Sequence, residues 1–143
     1  MEIFFENNHN SYKLNNKRKL LNLANSLCIN YDIISINIIS NQEILEMNNK
    51  FLNHNYYTDI LTFDLSDEMI KDAEIYISYE MALENSIIYK CTIEEEINRL
   101  IIHGFLHLAG YTDETEINRK NMKVKENYYL NKLFHVKTNE EKV

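Results

Sequence analysis

The chain has 143 residues, 45% of them hydrophobic, which fits one domain able to bury a core and excludes a disordered tract. No apolar run approaches the roughly 18 residues of a membrane span, and MEIFFENNHN shows no basic-then-apolar secretory signal. The net charge of −7, from 22 acids against 15 bases, excludes a protein that coats nucleic acid by charge alone, though not one with a local basic patch. Cys28 and Cys91 are too few and too far apart for a disulfide scaffold, so they are read as small buried hydrophobes and the address as cytoplasmic.

In chain order, Glu2–Phe5 is expected as a short edge strand. Leu14, Leu20, Leu21, Ala24 and Leu27 recur at helical spacing and predict a helix over Lys13–Cys28. Asp32–Ile39 is β-branched and partly alternating, a strand. Ser40 with Glu43 forms a capping box that opens a helix through Ile44, Met47 and Phe51. Thr58–Asp64 and Ala73–Ser78 read as two further strands, followed by a helix over Glu80–Tyr89. Thr92 with Glu95 is a second capping box, and the helix it opens runs to Leu108. Its first half has one apolar face, with Glu94, Glu95, Glu96 and Arg99 elsewhere; from Leu100 it is apolar nearly all round and expected to be buried. A last helix covers about Glu114–Phe134, and the polar tail after Val136 is expected to fray. No repeat or linker divides 1–143, so the fold class is a single α+β domain, one small mixed sheet packed by helices.

The chemistry is concentrated in IIHGFLHLAGYTDETE, residues 101–116. His103 and His107, four apart on a helix, stack on one face within reach of a common point. Gly104 and Gly110 are the only glycines in the chain, and Gly110 permits the left-handed residue that ends a helix. Asp113 then follows where the reversed chain can meet the histidines. Two nitrogens and a carboxylate leave a fourth position open, as in catalytic zinc sites. The plainer reading is a chance histidine pair, with Asp113 capping the last helix ahead of Glu116. Two imidazoles buried among Leu and Ile need a polar partner, which favours a metal on the helix and the turn after it. The spacing resembles that of metzincin proteases, but their glutamate base directly after the first histidine is replaced by Gly104, which argues against peptide hydrolysis.

HGFLHLAGY also resembles the H-G-x-L-H-L-x-G-Y-D-H signature of the bacterial YbeY family of ribosomal RNA maturation endoribonucleases. By position, the resemblance makes His103, His107 and Asp113 the metal ligands, with Asp113 where histidine is usual and Thr112 where aspartate is usual. Met47–Phe51 is similar to the family's L-N-x-x-Y, Thr58–Phe63 to its T-D-V-L-S-F, and Ala73–Ile77 to its G-D-I-x-I. Leu52 stands where the family usually has arginine, so the phosphate contact expected there is absent or comes from another base. The resemblance implies an α+β domain, one divalent metal ion of the zinc type, and single-strand-specific RNA cleavage. It further implies a role in 16S ribosomal RNA 3′-end maturation and ribosome quality control, with ribosomal RNA and the small subunit as partners.

Other features carry two readings each. Arg99, one turn before His103, could reach a phosphate or pair with Glu95. Tyr56 and Tyr57 could stack on bases or pack in the core. Lys13, Lys17, Arg18 and Lys19 could form a phosphate-binding edge or the solvated face of a helix, the second being favoured, and His9, His54 and His135 read as surface residues. No general acid or base is identifiable. The rival function is a ribosome-associated RNA-binding protein with a structural metal and no cleavage.

Overall fold

The computed structural model describes residues 1–54 and 58–134. Nine elements follow one another: β1 (Glu2–Asn7), α1 (Lys17–Ser26), β2 (Ile33–Ile39), α2 (Asn41–Leu52), β3 (Ile60–Asp64), β4 (Asp72–Ser78), α3 (Tyr79–Ile88), α4 (Ile93–Leu108) and α5 (Glu116–Phe134). The strands form one mixed sheet in the order β1-β2-β4-β3. β1, β2 and β4 run parallel, and β3 lies antiparallel to β4 at the far edge.

Period-two alternation sets the register. Ile34, Ile36 and Ile38 stand opposite Ala73, Ile75 and Ile77, and all six are buried on one face. Against this face pack Leu20, Leu23 and Ala24 of α1 and Ile97, Leu100, Ile101 and Phe105 of α4. Truncating a residue at its centre, such as Ile75→Ala, should cost about 2–5 kcal/mol. Both capping boxes are formed: Ser40 Oγ and Thr92 Oγ1 accept from the N–H groups of Glu43 and Glu95. Among the described residues no helix is long and apolar enough to cross a membrane.

Several expectations are corrected. α1 starts at Lys17 rather than Lys13, because Asn16 Nδ2 donates to Asn98 Oδ1 at 2.8 Å and ties the entering segment to α4 instead. Cys28, expected to be buried, is exposed at φ 58°. It takes the left-handed position after α1, where the Ile29 N–H closes the helix on the Ala24 carbonyl. Cys91 is half-buried. Glu96, read as part of a polar face, is 1% exposed. α5 begins at Glu116 rather than Glu114, since Thr115 Oγ1 accepts from the Asn118 N–H at 3.0 Å and makes Thr115 its cap. Tyr56, Tyr57, His135 and the tail after Val136 lie outside the described residues.

Candidate metal centre

Helix α4 crosses the sheet so closely that a side chain at Gly104 would crowd its neighbours. A Cβ there would meet Ile75 Cδ1 at 2.9 Å and Thr62 Oγ1 at 3.2 Å. Glycine therefore stands at this position for packing, and that close approach lays the neighbouring His103 beside β3. His103 and His107 share one helix face, with their Nε2 atoms 3.0 Å apart. The helix then closes in a Schellman turn: the Tyr111 and Gly110 N–H groups donate to the Leu106 and His107 carbonyls, each at 3.0 Å. Gly110, at φ 102°, supplies the backbone conformation this requires.

The reversed chain is pinned by the start of α5. Arg119 Nη1 donates to the Asp113 and Glu114 carbonyls at 3.4 and 3.2 Å, and Asn118 Nδ2 to Thr112 Oγ1 at 3.0 Å. Thr115, not Asp113, caps the helix, so the Asp113 carboxylate faces the histidines. Its Oδ2 lies 3.4 Å from His103 Nε2 and 3.6 Å from His107 Nε2. Donor atoms around a tetrahedral zinc at 2.0–2.1 Å stand roughly 3.3 Å apart, which edges of 3.0, 3.4 and 3.6 Å match. These three residues form a His/His/Asp cluster able to hold a metal ion, and no second such cluster occurs among the described residues.

Behind His103, the ring Nδ1 meets Glu126 Oε2 at 2.5 Å. Burial alone would push this imidazole's pKa down. The hydrogen bond and charge of Glu126, with the charges of Asp113 and Asp59, outweigh burial and hold it above the ordinary value. Arg99 does not pair with Glu95. Its Nη1 donates to Glu126 at 2.7 Å, and its Nε and Nη2 to Glu96 at 2.9 and 2.5 Å. Asn85 Nδ2 contacts Glu96 Oε2 and Asp59 Oδ2, both at 3.1 Å. Glu126, Glu96, Asn85 and Asp59 were not found by sequence reasoning. The His103–Glu126 contact spans 23 residues, and no local pattern marks Glu126.

In front of the cluster opens a cavity of about 600 Å³. His103, His107, Asp113, Asp59 and Asp64 line it together with Leu52, and none of its described lining residues is lysine or arginine. The position of the expected family arginine is thus at the cavity wall, occupied by a leucine that is 43% exposed. Lys13, Lys17, Arg18 and Lys19 are exposed, and none of them lines the cavity. His9 is a surface residue whose Nε2 contacts Glu80 Oε1 at 2.6 Å, and His54 is exposed.

Comparison with known proteins points the same way. The family model described as Endoribonuclease YbeY matches residues 3–134. The Endoribonuclease YbeY of Cytophaga hutchinsonii is 35% identical over 133 residues, covering 90% of this chain and 93% of its own. That of Flavobacterium psychrophilum is 46% identical over 98 residues, covering 67% and 68%. A solution structure of a Thermotoga maritima protein superposes with a TM-score of 0.57 at 28% identity, over 94% of this chain and 90% of that one. With a match running almost from end to end in sequence, and a similar fold in the solved structure, this chain belongs to the YbeY family of endoribonucleases.

Proposed function

We propose that the chain is a metal-dependent endoribonuclease of ribosomal RNA maturation that cuts single-stranded RNA, acting at the 3′ end of 16S ribosomal RNA and in ribosome quality control. The observation that carries this reading is the convergence of His103 Nε2, His107 Nε2 and Asp113 Oδ2, within 3.0–3.6 Å of one another, at the mouth of an open cavity. Two imidazole nitrogens and a carboxylate oxygen suit zinc. The bound ion would supply a Lewis acid for a phosphoryl oxygen or lower the pKa of a water.

The remaining residues set how RNA is met. Asp59, Asp64 and Asp113 make the cavity acidic, and no described lining residue is a lysine or arginine that could meet a phosphate. Few phosphates are therefore engaged, and affinity should depend weakly on salt. Arg99, with three nitrogens on carboxylates, serves as a brace for Glu126 rather than as a phosphate contact. The reading treats residues 1–143 as one domain working in the cytoplasm, with ribosomal RNA and the small subunit as partners.

The test is metal analysis of the purified protein, then cleavage of a single-stranded and a duplex RNA with and without chelator, with casein as control substrate. Zinc at one per chain and chelator-sensitive cutting of the single strand alone are expected. RNA binding with no cleavage under any divalent metal would instead make the chain a ribosome-associated binding protein, and casein hydrolysis would overturn the substrate class.

A further inference from the structure

The buried charges behind the histidine pair follow a simple ordering. Glu126 and Glu96, 3% and 1% exposed, flank the single guanidinium of Arg99. Arg99 takes Glu126 Oε1, which leaves Oε2 directed at His103 Nδ1. An ionised carboxylate only accepts hydrogen bonds, so the proton of a neutral His103 must sit on Nδ1. Its lone pair is then on Nε2, the atom that faces His107 and Asp113.

We propose that Glu126, held by Arg99, is a positioning residue that fixes His103 in the Nδ1–H tautomer and so presents Nε2 to the metal. This rests on the metal reading given above. Partners of this kind behind a ligating histidine are worth roughly 10–100-fold in metal affinity. Arg99 gives the arrangement a further consequence. In Glu126→Gln the amide oxygen must remain on Arg99 Nη1, because a guanidinium only donates. The amide NH₂ then falls on His103 Nδ1, which drives the ring proton to Nε2 and closes that atom to the metal.

Two measurements on the full chain test this. Zinc affinity is read by competition with a chromophoric chelator, and the His103 tautomer by long-range proton–nitrogen NMR of the metal-free protein at pH about 8.5, above the ordinary histidine range. Glu126→Gln should bind zinc roughly 10–100-fold more weakly and show the proton moved to Nε2. Glu126→Asp keeps the charge but is one methylene shorter, so it should lose a smaller factor; it also serves if the glutamine variant does not fold. Wild-type zinc binding, with every folded variant within about twofold of it or with the tautomer unmoved in a folded Glu126→Gln, would overturn the role of Glu126 alone. Absence of zinc binding by the wild type would overturn the metal reading and this inference together.

Discussion

On the side of α4 that faces α5, Arg99 lies between two buried carboxylates, and every charge has a partner within 2.9 Å. On the side that faces β3, Asp59, Asp64 and Asp113 line an open cavity with no lysine or arginine among its described residues. The difference follows from water. A charge removed from solvent must be balanced inside the protein, and removing one partner leaves the other stranded at a cost of about 3–5 kcal/mol. An exposed carboxylate is screened by solvent and can wait for a cation brought by the ligand. Changes behind the histidines should therefore alter stability and metal geometry, whereas changes in front should alter binding.

The sharpest way to break this division is at the boundary. His107 is one-third exposed and is one of only three donors in the cluster. His107→Ala should reduce zinc affinity by more than about 100-fold, beyond the range of an outer partner, and abolish RNA cleavage, while circular dichroism shows a folded domain. A variant that unfolds, with chelator also melting the wild type, would make the metal structural.

The next effect is on pH. Although burial opposes it, Glu126, Asp113 and Asp59 hold the proton on metal-free His103 above its ordinary value of 6.5. That raised value stabilises the metal-free fold fully below about pH 6.5, and the contribution is lost as pH rises through the folded value. Zinc needs His103 Nε2 without a proton, so its affinity should climb by up to about tenfold per pH unit across that window. Thermal melts between pH about 6 and about 8 should show the gap between zinc-loaded and metal-free protein widening with pH. A constant gap would mean that zinc does not displace this proton.

Gly104 tests the wall between the two regions. Alanine gains up to about 1 kcal/mol of helix propensity but overpacks against Ile75 and Thr62, a cost of about 1–3 kcal/mol. Gly104→Ala should lower stability by about 1 kcal/mol in urea melts, and stabilisation instead would show that α4 can lift from the sheet without penalty. The smallest effect is expected in front. Leu52→Arg would place a cation at the cavity wall, raising affinity for a short single-stranded RNA a few-fold at low salt and steepening its log–log salt slope by about 0.7. An unchanged slope would mean that phosphates do not pass this wall.

Much of the fold and part of the site could be read locally. The capping boxes at Ser40–Glu43 and Thr92–Glu95, the alternation of Ile34, Ile36 and Ile38, and the stacking of His103 on His107 all depend on residues a few positions apart. Backbone geometry at that range is almost fixed, so the sequence determines the outcome by itself. Gly110 and the turn that brings Asp113 back belong to the same class, since one residue at φ 102° ends the helix. Tertiary structure alone decided the rest. Glu96 looked like one of three equivalent glutamates until the packing of α3 and α4 buried it beside Arg99 and Asn85. Glu126 became the partner of His103 only when α5 folded back along α4, and Asp59 joined the cavity because β3 took the sheet edge next to β4. The contacts of Glu126 with His103 and Arg99 join residues 23 and 27 apart in the chain, where a local pattern carries no record of which neighbour will be met, and the cost of leaving buried charge unpaired selects the partner.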